Sequence, residues 1–224
     1  MSINAMYKAE QNFEITPMGN HVARVYSIIH IGTIEEQYMG EAKMMDKVRI
    51  TFELPNATKE FKEGDGEKPF VISREYTNSM GEKANLRALI EGMLGVALHS
   101  QESASYDVTE LMGKECLLNV IHKTSKLGRV YAHIQSASPL PQGLVAPEAI
   151  NSPFILDFNE NWNEESFEKL PDFVKDKIKT SDEYKKMKGI DETDGVPFSD
   201  VADEPAPEEP SIDYPTESSE VKAF

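Results

Sequence analysis

The chain has 224 residues, 39% of them hydrophobic, with 39 acidic against 23 basic side chains and a net charge of −16. A single cysteine, Cys116, excludes an intrachain disulfide framework, and no window approaches ~18 uninterrupted apolar residues, which excludes a membrane-spanning helix. The N-terminal residues 1–8 lack a charged segment followed by an apolar core, so the expectation is a soluble protein that is not exported and works in a reducing cytoplasm, with Cys116 as a buried, inert thiol.

Residues 1–18 offer scattered apolar positions (Ile3, Met6, Tyr7, Phe13, Ile15) and a turn signal at 17–20, and read as a loosely held lead-in. A first strand follows over 21–33, with Ala23, Val25, Ile29 and Ile31 on one face and Arg24, Tyr26 and His30 on the other. Residues 34–46 hold one glycine, Gly40, with Tyr38, Lys43 and three methionines, without sustained period, and read as a long mobile loop. Alternation returns over 47–54: Val48, Ile50, Phe52 and Leu54 point inward against Lys47, Arg49, Thr51 and Glu53, until Pro55 stops the strand. After a charged turn at 56–68, residues 69–80 form a third strand. Neither parity there is purely apolar, because Phe70, Ile72, Arg74 and Tyr76 alternate with Val71, Ser73, Glu75 and Thr77; a bulge would switch faces midway.

Residues 82–94 place Leu86, Leu89, Ile90, Met93 and Leu94 at helical spacing and end at Gly95. A short helical piece at 108–112 ends at Gly113 and leads into a hairpin, with strands at 115–124 and 129–137 joined by Ser125-Lys-Leu-Gly128. In the last strand Val130, Ala132 and Ile134 share one face, and Arg129, Tyr131, His133 and Gln135 the other, which is cationic and aromatic. The order β-β-β-α-β-β predicts an all-β core with small helices. Its form is an OB-fold-like β-barrel of five strands, plugged by the helix between its third and fourth.

The expected organisation is a barrel domain over 1–144, an ordered extension with a short helix over 145–188, and a disordered acidic tail over 189–224. In the extension Phe154, Leu156, Phe158 and Trp162 form a cluster suited to pack back onto the barrel. A helix is predicted within 167–187, starting near Pro171, with Phe173, Val174, Ile178 and Tyr184 as its apolar stripe. The tail has 11 Asp or Glu against one Lys and almost no aliphatic content, too little to offset the entropy of ordering. The acidity is therefore local. Residues 1–140 carry 15 basic against 18 acidic side chains, a balance that permits a basic groove despite the overall charge.

No catalytic constellation emerges. The five histidines (His21, His30, His99, His122, His133) are scattered and show no zinc-site spacing, and Gly64-Asp-Gly66 lacks the lysine of a phosphate loop. The expectation is a non-enzyme without cofactor or metal. The positive signal is cations interleaved with aromatics on strand faces predicted to be outward: Tyr38 and Lys43 in the long loop, Lys47 and Arg49 on the second strand, Arg74 and Tyr76 on the third, and Lys123, Lys126, Arg129 and Tyr131 on the last hairpin. Single-stranded nucleic acid needs this mixture, since cations track phosphates while rings stack on bases at about 1–3 kcal/mol each. Any one of these residues is equally an ordinary outward strand position; the conjunction carries the signal.

The barrel order, Leu111-Met-Gly-Lys-Glu-Cys116 opening the final hairpin, Ser136-Ala-Ser-Pro139 closing it, and the acidic C-terminus together resemble the single-stranded DNA-binding proteins of bacterial viruses. Asp194-Gly-Val-Pro-Phe198 is similar to the Asp-Asp-Ile-Pro-Phe tip by which bacterial single-stranded DNA-binding proteins recruit replication enzymes. The resemblance implies a protein that coats single-stranded DNA during phage replication or recombination in the bacterial host cytoplasm. It also implies an acidic tail that competes for the groove and engages a polymerase, primase or helicase through Asp194, Pro197, Phe198 and the terminal Phe224. No membrane partner is expected, and a homo-oligomer remains open. The alternative is an interaction module that binds protein and uses its acidic surface as a DNA mimic or scaffold.

Overall fold

The computed structural model describes residues 15–38, 40–61, 63–64, 66–99, 106–125 and 127–190. Five strands carry the architecture: β1 (Gly19–Tyr38), β2 (Glu41–Lys59), β3 (Lys68–Thr77), β4 (Glu115–Thr124) and β5 (Val130–Ser138). They form one antiparallel sheet in the order β3-β2-β1-β4-β5. Helix α1 (Asn85–Leu94) follows β3, and a 3₁₀ turn (Val108–Leu111) precedes β4. The expected strand order in sequence is present. The sheet, however, is not closed into a barrel: among the described residues no ladder joins β3 to β5. Arg74 bridges that gap: its Nη1 donates to the carbonyl oxygen of Ile134 at 2.9 Å.

β1 is apolar almost continuously because it serves two cores. A bulge between Val25 and Ser27 shifts its register, so Ala23, Val25 and Ile28 join a core with Ile50, Phe52, Leu54, Leu86, Ile90, Leu118 and Ile134, while Ile29, Ile31 and Ile34 join a second. Strands buried on both faces read as unbroken hydrophobic runs. The second core is supplied by the C-terminal extension. Its strand β6 (Phe154–Leu156) pairs parallel with Ser27–Ile29; helix α2 (Glu164–Glu168) contributes Phe167, the turn after it Leu170, helix α3 (Asp172–Thr180) Val174 and Ile178, and helix α4 (Asp182–Lys188) packs Tyr184 against them. Leu156, Phe167 and Ile178 are wholly buried, each worth about 1.5–3 kcal/mol of hydrophobic stabilisation.

The seat of α4 is tight. Gly32 lies at a second β1 bulge with φ 91°, a conformation costly for other residues, and a Cβ there would sit 2.6 Å from Glu183 Oε2. That carboxylate instead accepts from the Thr33 amide at 2.6 Å and the Thr33 hydroxyl at 2.7 Å. Further along, the extension covers a buried charge. Glu53, fully buried, lies 3.4 Å from Arg24 and accepts from the Ile150 and Asn151 amides and the Asn151 side chain.

Several boundaries differ from expectation. The predicted loop 34–46 is instead a hairpin arm, paired from Thr33↔Asp46 out to Tyr38↔Glu41, and Gly40 with φ 88° permits its tight return. Pro55 does not end β2; a register shift between Leu54 and Thr58 takes it out of the ladder, where its missing N–H costs nothing. Within the lead-in, Thr16 is pinned, donating to Val71 O at 3.3 Å while its own carbonyl accepts from His122 at 2.8 Å. The single helix expected within 167–187 is broken, because Ser181 adopts an extended conformation and caps α4 through its hydroxyl to the Tyr184 amide.

Candidate nucleic-acid interface

The β4–β5 hairpin is held at its turn by Ser125, whose amide donates to Arg129 O at 2.9 Å and whose hydroxyl accepts from the Arg129 amide at 3.1 Å. The register that follows sets Lys123 opposite Tyr131 and Ile121 opposite His133. Alternation then puts Tyr131 and His133 on one face, their rings edge to face with centroids 6.4 Å apart. Arg74 arrives from β3 across the open seam, its guanidinium 5.0 Å from the Tyr76 ring centroid while one arm holds Ile134 O. Burial, then the charges of Arg74 and Lys123, push the His133 pKa down to about 4. The charges of two strand-borne cations thus act on one half-buried imidazole beside an aromatic ring. Arg129 is exposed where the hairpin turn enters β5.

The other predicted residues are placed elsewhere. Tyr76, expected on an outward face, is 2% exposed and part of the main core. β3 has no bulge in the stretch from Phe70 to Thr77, so Phe70, Ile72, Arg74 and Tyr76 keep one parity, and only Arg74 is long enough to reach the seam. Lys47 and Arg49 lie on the opposite face of β2, also expected to be solvent-facing, but both are paired with carboxylates, and Phe173 of the extension lies against Arg49. Lys47 is 8% exposed with Nζ 2.7 Å from Glu36. Arg49 donates to Glu75 at 3.1 Å and sits 5.2 Å from the Phe173 ring centroid, and Lys177 reaches the same Glu75 at 2.7 Å. Lys43 is exposed on the hairpin arm, in register with Glu36. Tyr38 ends β1 opposite Glu41; its side chain, Lys126, and the tail residues Asp194, Pro197, Phe198 and Phe224 lie outside the described residues. His133 was not singled out as a ligand residue from sequence, although its alternation with Tyr131 and Arg129 was the signal.

Elsewhere the chemistry is quiet. Burial pushes the Cys116 thiol up to about 12, leaving no thiolate. Among the described residues no group of three or more His, Cys, Asp or Glu side chains is placed to hold a metal, and no helix is long and apolar enough to cross a membrane. No known family model matches this sequence, and no curated protein is significantly similar to it.

Proposed function

We propose that the protein is a non-enzymatic single-stranded DNA-binding protein. The DNA would run along the seam between β3 and β5, the open side of an OB-fold-like barrel. The observation that supports this most is that the charges of Arg74 and Lys123 both act on His133 beside Tyr131, since neighbouring cations with no facing carboxylate among the described residues suit a phosphodiester. Arg129 extends the track at the hairpin, and Tyr131 offers a ring for stacking. The role is coating and protecting DNA during phage replication or recombination. The acidic tail beyond Ile190 competes for the same cations until DNA displaces it, and is then free to recruit a polymerase, primase or helicase.

Fluorescence anisotropy of a labelled oligothymidine, titrated with the full chain and with a chain ending at Ile190, tests both parts. Binding that weakens with salt and strengthens on truncation is the expected result. The second reading, an interaction module or acidic DNA mimic, draws support from Lys47 and Arg49, whose charges are already paired with Glu36 and Glu75. It predicts that neither chain binds the oligonucleotide at low salt.

A further inference from the structure

We infer that His133 is a further phosphate-binding residue of the seam and takes up a proton when nucleic acid binds, so that affinity is linked to pH. The inference rests on the seam being the nucleic-acid interface.

Three other histidines have protein acceptors: His21 lies 2.9 Å from Pro17 O, His30 is 2.7 Å from Asp46 Oδ1, and His122 is 2.8 Å from Thr16 O. His133 differs in what surrounds it. From β3 it faces Arg74, from β4 Lys123, and on its own strand Tyr131; its register neighbour on β4 is the apolar Ile121. None of these is an anion, so among the described residues an imidazolium at His133 has no carboxylate to pair with. A phosphate drawn in by Arg74 and Lys123 reverses that balance. It screens both cations and supplies an acceptor, and a proton from solvent then converts the ring into a third donor.

Linkage fixes the sign and size. A group that is neutral when free and protonated when bound makes binding tighter as pH falls. If the bound ring regains its ordinary value of 6.5 from about 4, affinity at about pH 5.5 exceeds that at about pH 7.5 by about tenfold. The geometry also separates His133 from the two permanent cations, which contribute at every pH.

The experiment is anisotropy of labelled oligothymidine, whose base does not titrate in this range, against the full-length protein and its His133→Gln variant between about pH 5.5 and 7.5 at fixed ionic strength. The expected result is about tenfold tightening for the wild type on acidification, and a nearly flat profile for His133→Gln that meets the wild type near pH 7.5. A flat wild-type profile, or a variant that keeps the wild-type slope, overturns the inference and leaves the seam as the interface. Absence of binding at every pH overturns both. Should His133→Gln misfold, NMR titration of the wild-type imidazole with and without oligothymidine gives the same answer. Its pKa rises on binding if the inference holds; an unchanged value refutes it.

Discussion

Arg74 donates from Nη1 to the carbonyl oxygen of Ile134 at 2.9 Å, across the gap where β3 and β5 form no ladder. One guanidinium thus fastens the two sides of the seam and supplies charge to it. Replacing it with methionine removes a charge-assisted bond to the backbone, at a cost of about 1–2 kcal/mol, and also weakens oligothymidine binding. Lys123→Ala removes charge without a seam contact. Chemical denaturation of that variant should show stability within about 0.5 kcal/mol of wild type, while its affinity falls and the salt slope shrinks by about one. Equal loss of stability in both variants would show that Lys123 too is structural.

The docking of α4 depends on Gly32. An alanine there meets Glu183 Oε2 at 2.6 Å and Ser181 Cβ at 2.7 Å and must hold φ 91°. Left-handed backbone alone costs about 1–2 kcal/mol for an L side chain, and the clash adds to it. Gly32→Ala should therefore loosen the extension before it unfolds the main sheet. Trp162, the single tryptophan, stacks on Phe158 and packs near Phe167 and Tyr184, so its emission reports the change. A red shift at temperatures where far-UV dichroism is intact is expected; coincident loss of both signals would mean that extension and sheet unfold as one.

Strand order, α1 and the final hairpin were legible because period-two alternation and glycine stops are local signals. What the sequence hid was the second layer. The extension lays Phe173 over Arg49, which looks like an outward cation in a strand pattern and becomes a partner of Glu75, while Lys47 is taken up by Glu36 of the neighbouring strand. Nothing within residues 47–54 records that Phe173 will lie over Arg49 or that Lys177 will share its carboxylate, Glu75. The same hidden layer explains why Ile29 and Ile31, expected on one face with Ala23 and Val25, pack instead in the second core. Tyr76 was misplaced for a different reason: a mixed strand invited a bulge, whereas the open seam let Arg74 stay on the core-facing parity without being buried.

Two histidines give stability opposite pH dependence. At His30, burial opposes protonation, but the hydrogen bond and charge of Asp46, with Glu183 and Asp157 beyond, outweigh it and raise the pKa above 6.5. Its contribution is therefore complete below 6.5 and lost as pH rises through the folded value. At His133, lowered from 6.5 to about 4 by burial and then by Arg74 and Lys123, the contribution is complete above 6.5 and lost as pH falls toward 4. Melting temperatures across this range should show His30→Gln removing a decline on the alkaline side and His133→Gln removing one on the acid side. Identical pH profiles for the two variants would contradict these assignments.

Arg49 separates a structural cation from a ligand-binding one. Its guanidinium is held by Glu75 and lies against Phe173, with Lys177 on the far oxygen of the same carboxylate. Arg49→Ala removes a largely buried partner from a carboxylate that stays buried, a change that costs about 3 kcal/mol or somewhat less because Lys177 remains. Oligothymidine affinity at a temperature where the variant is folded should change less than about twofold, because Arg49 is taken up by Glu75 and lies under Phe173 of the extension. Arg129→Ala should do the reverse, leaving the denaturation midpoint in place while weakening binding severalfold at low salt. The comparison is sharpest as a double-mutant cycle. With Arg49→Ala and Arg129→Ala acting on different quantities, their effects on stability and on affinity should each add without coupling. A large affinity loss from Arg49→Ala in the folded state would place the DNA on the α3 side of the sheet, and would mean that the extension lifts away when the strand binds.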